Sequence, residues 1–177
     1  MKKINFLKLG FTAALAVYGL VLVRSVEGYG FLDRVDLIAH EAGHMLFSWF
    51  GEFLMVAGGT IGQLAVPIAF TVYYFFRKEM FSAAVTLFWV GQNFFNISVY
   101  VKDAQAMALP LVSIGGGNDT IHDWNYLFHK FNLLRHDQGI GSMFFGVGFI
   151  VMVTAVVLGF YYSVNREEQE ASTEGSI

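Results

Sequence analysis

The chain of 177 residues is 55% hydrophobic and only 14% charged, with a mean hydropathy of +0.53; a water-soluble domain carries roughly 25% charged residues, so a lipid bilayer is the expected solvent. A net charge of −3, a pI of about 5.9 and no basic patch exclude nucleic acid as an expected partner. There is no cysteine, which rules out disulfides and thiolate metal sites, so a transition metal has to use His, Asp or Glu.

A membrane-spanning helix needs about 20 mostly apolar residues, and the chain offers five such stretches. The first, residues 4–23, is opened by Lys2, Lys3 and Lys8 and ends in Arg24-Ser25-Val26-Glu27 without a small-x-small cleavage site, so it reads as an uncleaved anchor. The lysine group places the N-terminus inside. The second, 31–57, carries Asp33, Arg34, Asp36, His40, Glu41 and His44 in its first half, and Gly58-Gly59 is expected to break it. The third, 60–76, contains Pro67 and stops at Arg77-Lys78-Glu79. The fourth, 80–101, is expected to continue as helix to residue 109, before Pro110.

A loop with Gly115-Gly116-Gly117-Asn118-Asp119 follows, in which Asn118 or Asp119 can cap the next helix. There Ile121, Trp124, Leu127, Phe128, Phe131 and Leu134 form an apolar stripe at helical spacing, the pattern of a short helix lying on the membrane. The fifth stretch, 140–162, has no charge; its small pairs Ser142/Gly146 and Ala155/Gly159 suit close helix packing. The expected fold is an all-α polytopic membrane bundle of about five transmembrane helices plus a short interfacial helix. It occupies residues 1–164, and residues 165–177 form a polar, acidic tail expected to be disordered.

The chemistry is concentrated in His40-Glu41-Ala42-Gly43-His44. Residues four apart share one helix face, so His40 and His44 can offer imidazole nitrogens to one Zn²⁺. Glu41 is turned by about 100° from His40, and reaches a water at the metal rather than the metal itself. In that position it is the candidate acid/base of peptide hydrolysis. A pentapeptide can match by chance, but ionisable groups in a span each cost about 3 kcal/mol and are expected to be paired or functional.

A third ligand is needed. Gln92, Asn96, Tyr100 and Asp103 lie along one face of the fourth helix, and Asp103 is the acid among them. The bland alternative is that Asp103 marks the helix end beside Lys102. Asn96 orients a ligand, binds a substrate backbone or only bridges helices. The other candidate is His122-Asp123-Trp124: folded back, it puts His122 on the metal or Asp123 behind a histidine. His129 and His136 are assigned to solvent. Asp33 and Asp36 share the face of His40, as partners of the ligands, as partners of Arg34 or as helix caps.

The pentapeptide in a hydrophobic helix, with an aspartate on a later span, resembles the site-2 protease family of intramembrane zinc metalloproteases. The segments Gly58-Gly59-Thr60-Ile61-Gly62-Gln63-Leu64 with Pro67, 96–103, and His122-Asp123-Trp124 are similar to those of small bacterial peptidase-like membrane proteins placed near that family. The resemblance covers about residues 35–130. It implies His40, His44 and Asp103 as zinc ligands, Glu41 as catalytic acid/base, a transmembrane peptide or membrane protein as substrate, and the bacterial inner membrane as location. The alternative expectation is a non-enzymatic membrane protein, either a metal carrier or an inactive relative that binds helices.

Overall fold

A computed structural model of the chain describes residues 4–24, 30–109 and 122–164. Six α-helices follow one another: α1 (Phe6–Arg24), α2 (Phe31–Phe47), α3 (Glu52–Phe76), α4 (Met80–Lys102), α5 (Asp123–Phe131) and α6 (Asp137–Tyr162), with single 3-10 turns at Ser48–Phe50 and Leu134–His136. Among the described residues there is no strand. The start of α1 and the end of α6 are tied by Asn5 N–H donating to Ser163 O at 2.8 Å. The glycine run 115–119, Ile121 and the tail 165–177 lie outside the described residues.

Three segments are long and apolar enough to cross a membrane: Phe6–Arg24, Glu52–Phe76 and Leu134–Tyr162. Their outer faces carry exposed Phe6, Leu7, Val17, Phe75, Phe76, Met143 and Ile150, apolar surface that an aqueous protein would cover. The expected second and fourth spans are of a different kind. α2 has 17 residues, which reach about 26 Å, and carries four charged side chains. α4 is the central helix: it packs against α6, α3, α1 and α2 and buries residues on most of its faces, including Gln92, Asn93 and Ser98. A helix enclosed by protein can hold polar side chains that a lipid-facing one cannot.

Several boundaries differ from the sequence expectation. The break between the second and third helices falls at Ser48–Gly51, not at Gly58-Gly59: Gly51 takes φ 92°, a left-handed conformation that favours glycine. α3 then runs unbroken through Gly58, Gly59 and Pro67. These glycines serve packing. A Cβ on Gly62 would come within 2.7 Å of Ala39 O and Gly43 Cα, and one on Gly58 within 2.8 Å of Gly43 O. The α2 and α3 backbones therefore touch at Gly43, Gly58 and Gly62. α4 ends at Lys102 instead of continuing to residue 109, because the Asp103 carboxylate accepts the N–H groups of Ala108 (2.9 Å) and Leu109 (3.0 Å) and turns the chain.

The small pairs of α6 divide. Ala155 and Gly159 are buried, the latter against Thr12 of α1, as expected. Ser142 is exposed and nothing lies near Gly146; the close approach is made by Gly148, whose Cβ would meet Gly91 O at 2.8 Å. The α5 stripe turns inward as well. Phe128 joins Ile97, Val101 and Ala104 in a core cluster, with Trp124, Leu134 and Phe144 at its edge.

Candidate functional site

His40 and His44 project from α2 one turn apart, their ring centroids 4.6 Å from each other. They fit because Gly59 of α3 has no side chain. A Cβ there would lie 2.6 Å from His40 Nε2 and from both His44 Cε1 and His44 Nε2. The third member of the group is Asp123, at the start of α5. Its Oδ2 is 2.8 Å from His40 Nε2 and 3.2 Å from His44 Nε2. His40, His44 and Asp123 each offer a ligand atom, and these atoms all lie within 4.8 Å of one another.

The opposite ring nitrogens determine what these atoms can do. His44 Nδ1 is 2.8 Å from Met55 O. A carbonyl only accepts, so Nδ1 carries a proton and donates it. His40 Nδ1 is 3.2 Å from Gln63 Oε1. The Gln63 amide is oriented by its Nε2, which donates to Asn96 Oδ1 at 2.8 Å. Asn96 is oriented in turn by its Nδ2, which donates to the Asp33 carboxylate at 2.9 Å. His40 Nδ1 therefore donates too. Both Nε2 atoms are left with lone pairs facing a carboxylate oxygen, an arrangement that needs a cation or further protons between them. Two imidazole nitrogens and one carboxylate oxygen, with each ring anchored through its other nitrogen, form a donor set suited to Zn²⁺.

α5 is held in place by polar contacts. His122 caps it: Asn125 N–H donates to His122 Nδ1 at 3.2 Å. This leaves His122 Nε2 as the N–H that points at Asp103 Oδ2, 3.3 Å away. Asn125 Nδ2 donates to Ala104 O at 2.8 Å, and the Asp123 backbone N–H donates to the Tyr100 hydroxyl at 3.1 Å. The Tyr100 ring lies on His122, centroids 4.4 Å apart, and meets His40 edgewise at 6.1 Å.

The candidates named from the sequence thus separate. His40, His44 and Asp123 converge. Asp103 sits instead against His122 and two backbone amides, one helical turn beyond Tyr100. His122 is buried as the cap of α5, and both of its nitrogens are engaged. Asn96 bridges Gln63 to Asp33. Glu41, half-buried beside His40, makes no hydrogen bond to any described residue, and its charge bears on His44 and Tyr100. Asp33 also accepts Gln92 Nε2 at 2.9 Å and Gly30 N–H at 2.6 Å, so it caps α2 as well as holding α4. Asp36 accepts Trp89 Nε1 and Asn93 Nδ2, and neither aspartate pairs with the exposed Arg34. His129 and His136 are exposed, as expected.

Sequence reasoning missed Gln63, the Met55 carbonyl and Gly59. For two of them a signal was present: Gly59 and Gln63 are four apart, hence on one face of α3, the face turned to α2. No family model, curated protein or solved structure matches this chain.

Proposed function

We propose that the chain is an intramembrane zinc metalloprotease of the site-2 protease type, with His40, His44 and Asp123 as ligands and Glu41 as acid/base. The observation that carries the reading is the convergence of two Nε2 lone pairs and Asp123 Oδ2, with both Nδ1 atoms committed as donors to oxygen. Asp123 takes the ligand role in place of Asp103, because it is the carboxylate that faces both imidazoles. Asp103 becomes a support of α5 through His122.

When bound, Zn²⁺ polarises the peptide carbonyl and acidifies a water. The remaining chemistry belongs to the chain. The Glu41 carboxylate, free of competing partners among the described residues, takes the proton of the attacking water and later hands it to the leaving amine. The Tyr100 hydroxyl accepts from the Asp123 N–H and keeps its own proton, which is available to a substrate carbonyl. The substrate is a transmembrane or membrane-proximal peptide, and the compartment is the bacterial inner membrane. In this reading α2 and α4 complete a five-span bundle, α4 enclosed by its neighbours and α2 turning its polar face inward, and the site lies between α2, α3 and the start of α5.

The test is metal content and cleavage together. Purified wild-type protein in detergent should hold about one zinc per chain, and His44→Ala should hold none. Glu41→Gln should keep the zinc and lose cleavage of a model transmembrane substrate by at least about 100-fold, since an amide cannot accept the water's proton. Undiminished cleavage by Glu41→Gln would sink the mechanism. Zinc bound with no cleavage of any membrane substrate would favour the non-enzymatic metal-binding alternative.

A further inference from the structure

Asp33 lies two helical turns before His40 on the same face of α2, yet the hydrogen bonds connecting the two pass through other helices. They run from Asp33 Oδ1 to Asn96 of α4 (2.9 Å), from Asn96 to Gln63 of α3 (2.8 Å), and from Gln63 to His40 Nδ1 (3.2 Å). Asp33, Gln63 and His40 are buried. Each amide in the chain has one donating and one accepting end, so the end fixed at Asp33 dictates the end presented at His40. A carboxylate can only accept. Asn96 must then turn Nδ2 toward it and Oδ1 toward Gln63; Gln63 must turn Nε2 toward Asn96 and Oε1 toward His40.

We infer that Asp33 is a positioning residue of the metal site, setting through two amides which nitrogen of His40 carries the proton. The inference rests on the zinc-ligand reading of His40. It is independent of proteolysis. His44 is the internal control: its partner is the backbone carbonyl of Met55, which no side-chain change reverses.

The relay can be run backwards. In Asp33→Asn the new side chain keeps an oxygen for Gly30 N–H only if its nitrogen faces Asn96. Asn96 then flips and presents Nδ2 to Gln63, Gln63 flips and presents Nε2 to His40, and the His40 proton is driven to Nε2, where zinc must bind. In Gln63→Glu alone, a carboxylate oxygen faces Asn96 Oδ1, and like ends oppose. Combined, the two changes agree. The amide introduced by Asp33→Asn donates to Asn96, the flipped Asn96 donates to the carboxylate introduced by Gln63→Glu, and that carboxylate accepts from His40 Nδ1–H. Gln92 Oε1, a buried acceptor without a partner among the described residues, becomes a second acceptor for the new amide nitrogen once Gln92 flips.

The experiment is a double-mutant cycle on zinc affinity, measured by chelator competition in detergent. Asp33→Asn and Gln63→Glu should each weaken zinc about 10- to 100-fold, and the two combined should recover to within a few-fold of wild type. Losses that simply multiply would overturn the inference, because Asp33 and Gln63 meet at Asn96 and only a restored hydrogen-bond direction through it makes the two losses cancel. A metal-free readout separates this from failure of the zinc reading. In an Asp123→Ala background no carboxylate competes for the His40 proton. There, above the imidazole titration range, ¹⁵N shifts should place it on Nδ1 in that parent, on Nε2 with Asp33→Asn, and back on Nδ1 with both changes. His44 should stay Nδ1-protonated throughout. An unchanged His40 tautomer with Asp33→Asn would overturn the inference whether or not the wild type binds zinc.

Discussion

Two seams in this bundle are built with the same device and put it to different uses. Where α4 meets α6, Gly91 and Gly148 let the backbones approach, and a Cβ on Gly91 would come within 3.0 Å of Gly148 O. Around that contact lie Phe88, Phe95, Met152 and Ala155, an apolar cluster whose function is to hold two helices together. Where α2 meets α3, Gly43, Gly58 and Gly62 do the same. A fourth glycine, Gly59, makes room not for a backbone but for two imidazoles. Close glycine packing in the first seam replaces missing hydrophobic drive between helices in lipid. In the second it clamps the elements that carry His40, His44, Gln63 and the Met55 carbonyl, so the rings cannot rotate away from Asp123.

Substitutions at the glycines distinguish the two seams most directly. Gly59→Ala should weaken zinc binding by more than about 100-fold, because the new methyl group occupies space held by the His40 and His44 imidazoles, and outer support alone accounts for about 10- to 100-fold. Gly91→Ala should instead cost about 1–3 kcal/mol of stability through overpacking against Met152. Whatever fraction folds should keep a full complement of zinc. Elemental analysis and thermal unfolding of both variants in detergent separate these outcomes. A Gly91→Ala protein that stays folded but loses zinc would show that the two seams are not functionally distinct.

A smaller but sharper contrast lies at the two aspartates. Asp123→Ala removes a proposed ligand and should weaken zinc well beyond Asp103→Ala, whose effect, carried through His122 and the start of α5, should be roughly 10-fold. Chelator competition on the pair decides it. The reverse ranking would return the ligand role to Asp103. The mildest change is Tyr100→Phe. It leaves the Asp123 N–H without its acceptor at a cost of about 1 kcal/mol, so zinc affinity should drop only a few-fold. A loss as large as that of Asp123→Ala would mean that Tyr100 itself is part of the ligand set.

Much of this was legible residue by residue. Helical spacing put His40 and His44 on one face and kept Glu41 off it. The polar stripe of the fourth helix is a set of contacts: Gln92 and Asn96 to Asp33, Tyr100 to Asp123, Asp103 to His122. Glycine is the harder residue to read. By propensity Gly58-Gly59 looks like a helix break, yet the contact with Gly43 holds α3 straight through it, and the chain turns at Gly51 instead. A glycine inside an apolar run has two meanings, a stop or a contact, and only the neighbouring helix chooses between them.

Features that depend on near neighbours in the chain follow from local pattern, and those that depend on distant ones follow from packing. Local pattern was enough for an all-helical chain, for three segments apolar enough to cross a membrane, and for a pair of histidines on one helix face, because each of these depends on residues within a turn or a span of one another. It could not choose between Asp103 and Asp123. Both are acids far along the chain from His40, and the choice depends on where the short helix α5 folds back and on which carboxylate the turn after α4 consumes. Nor could it reveal that His40 is oriented from α3 and α4. Hydrogen-bond direction passes from one helix to the next only where side chains meet, and that meeting is set by packing, not by spacing along the chain.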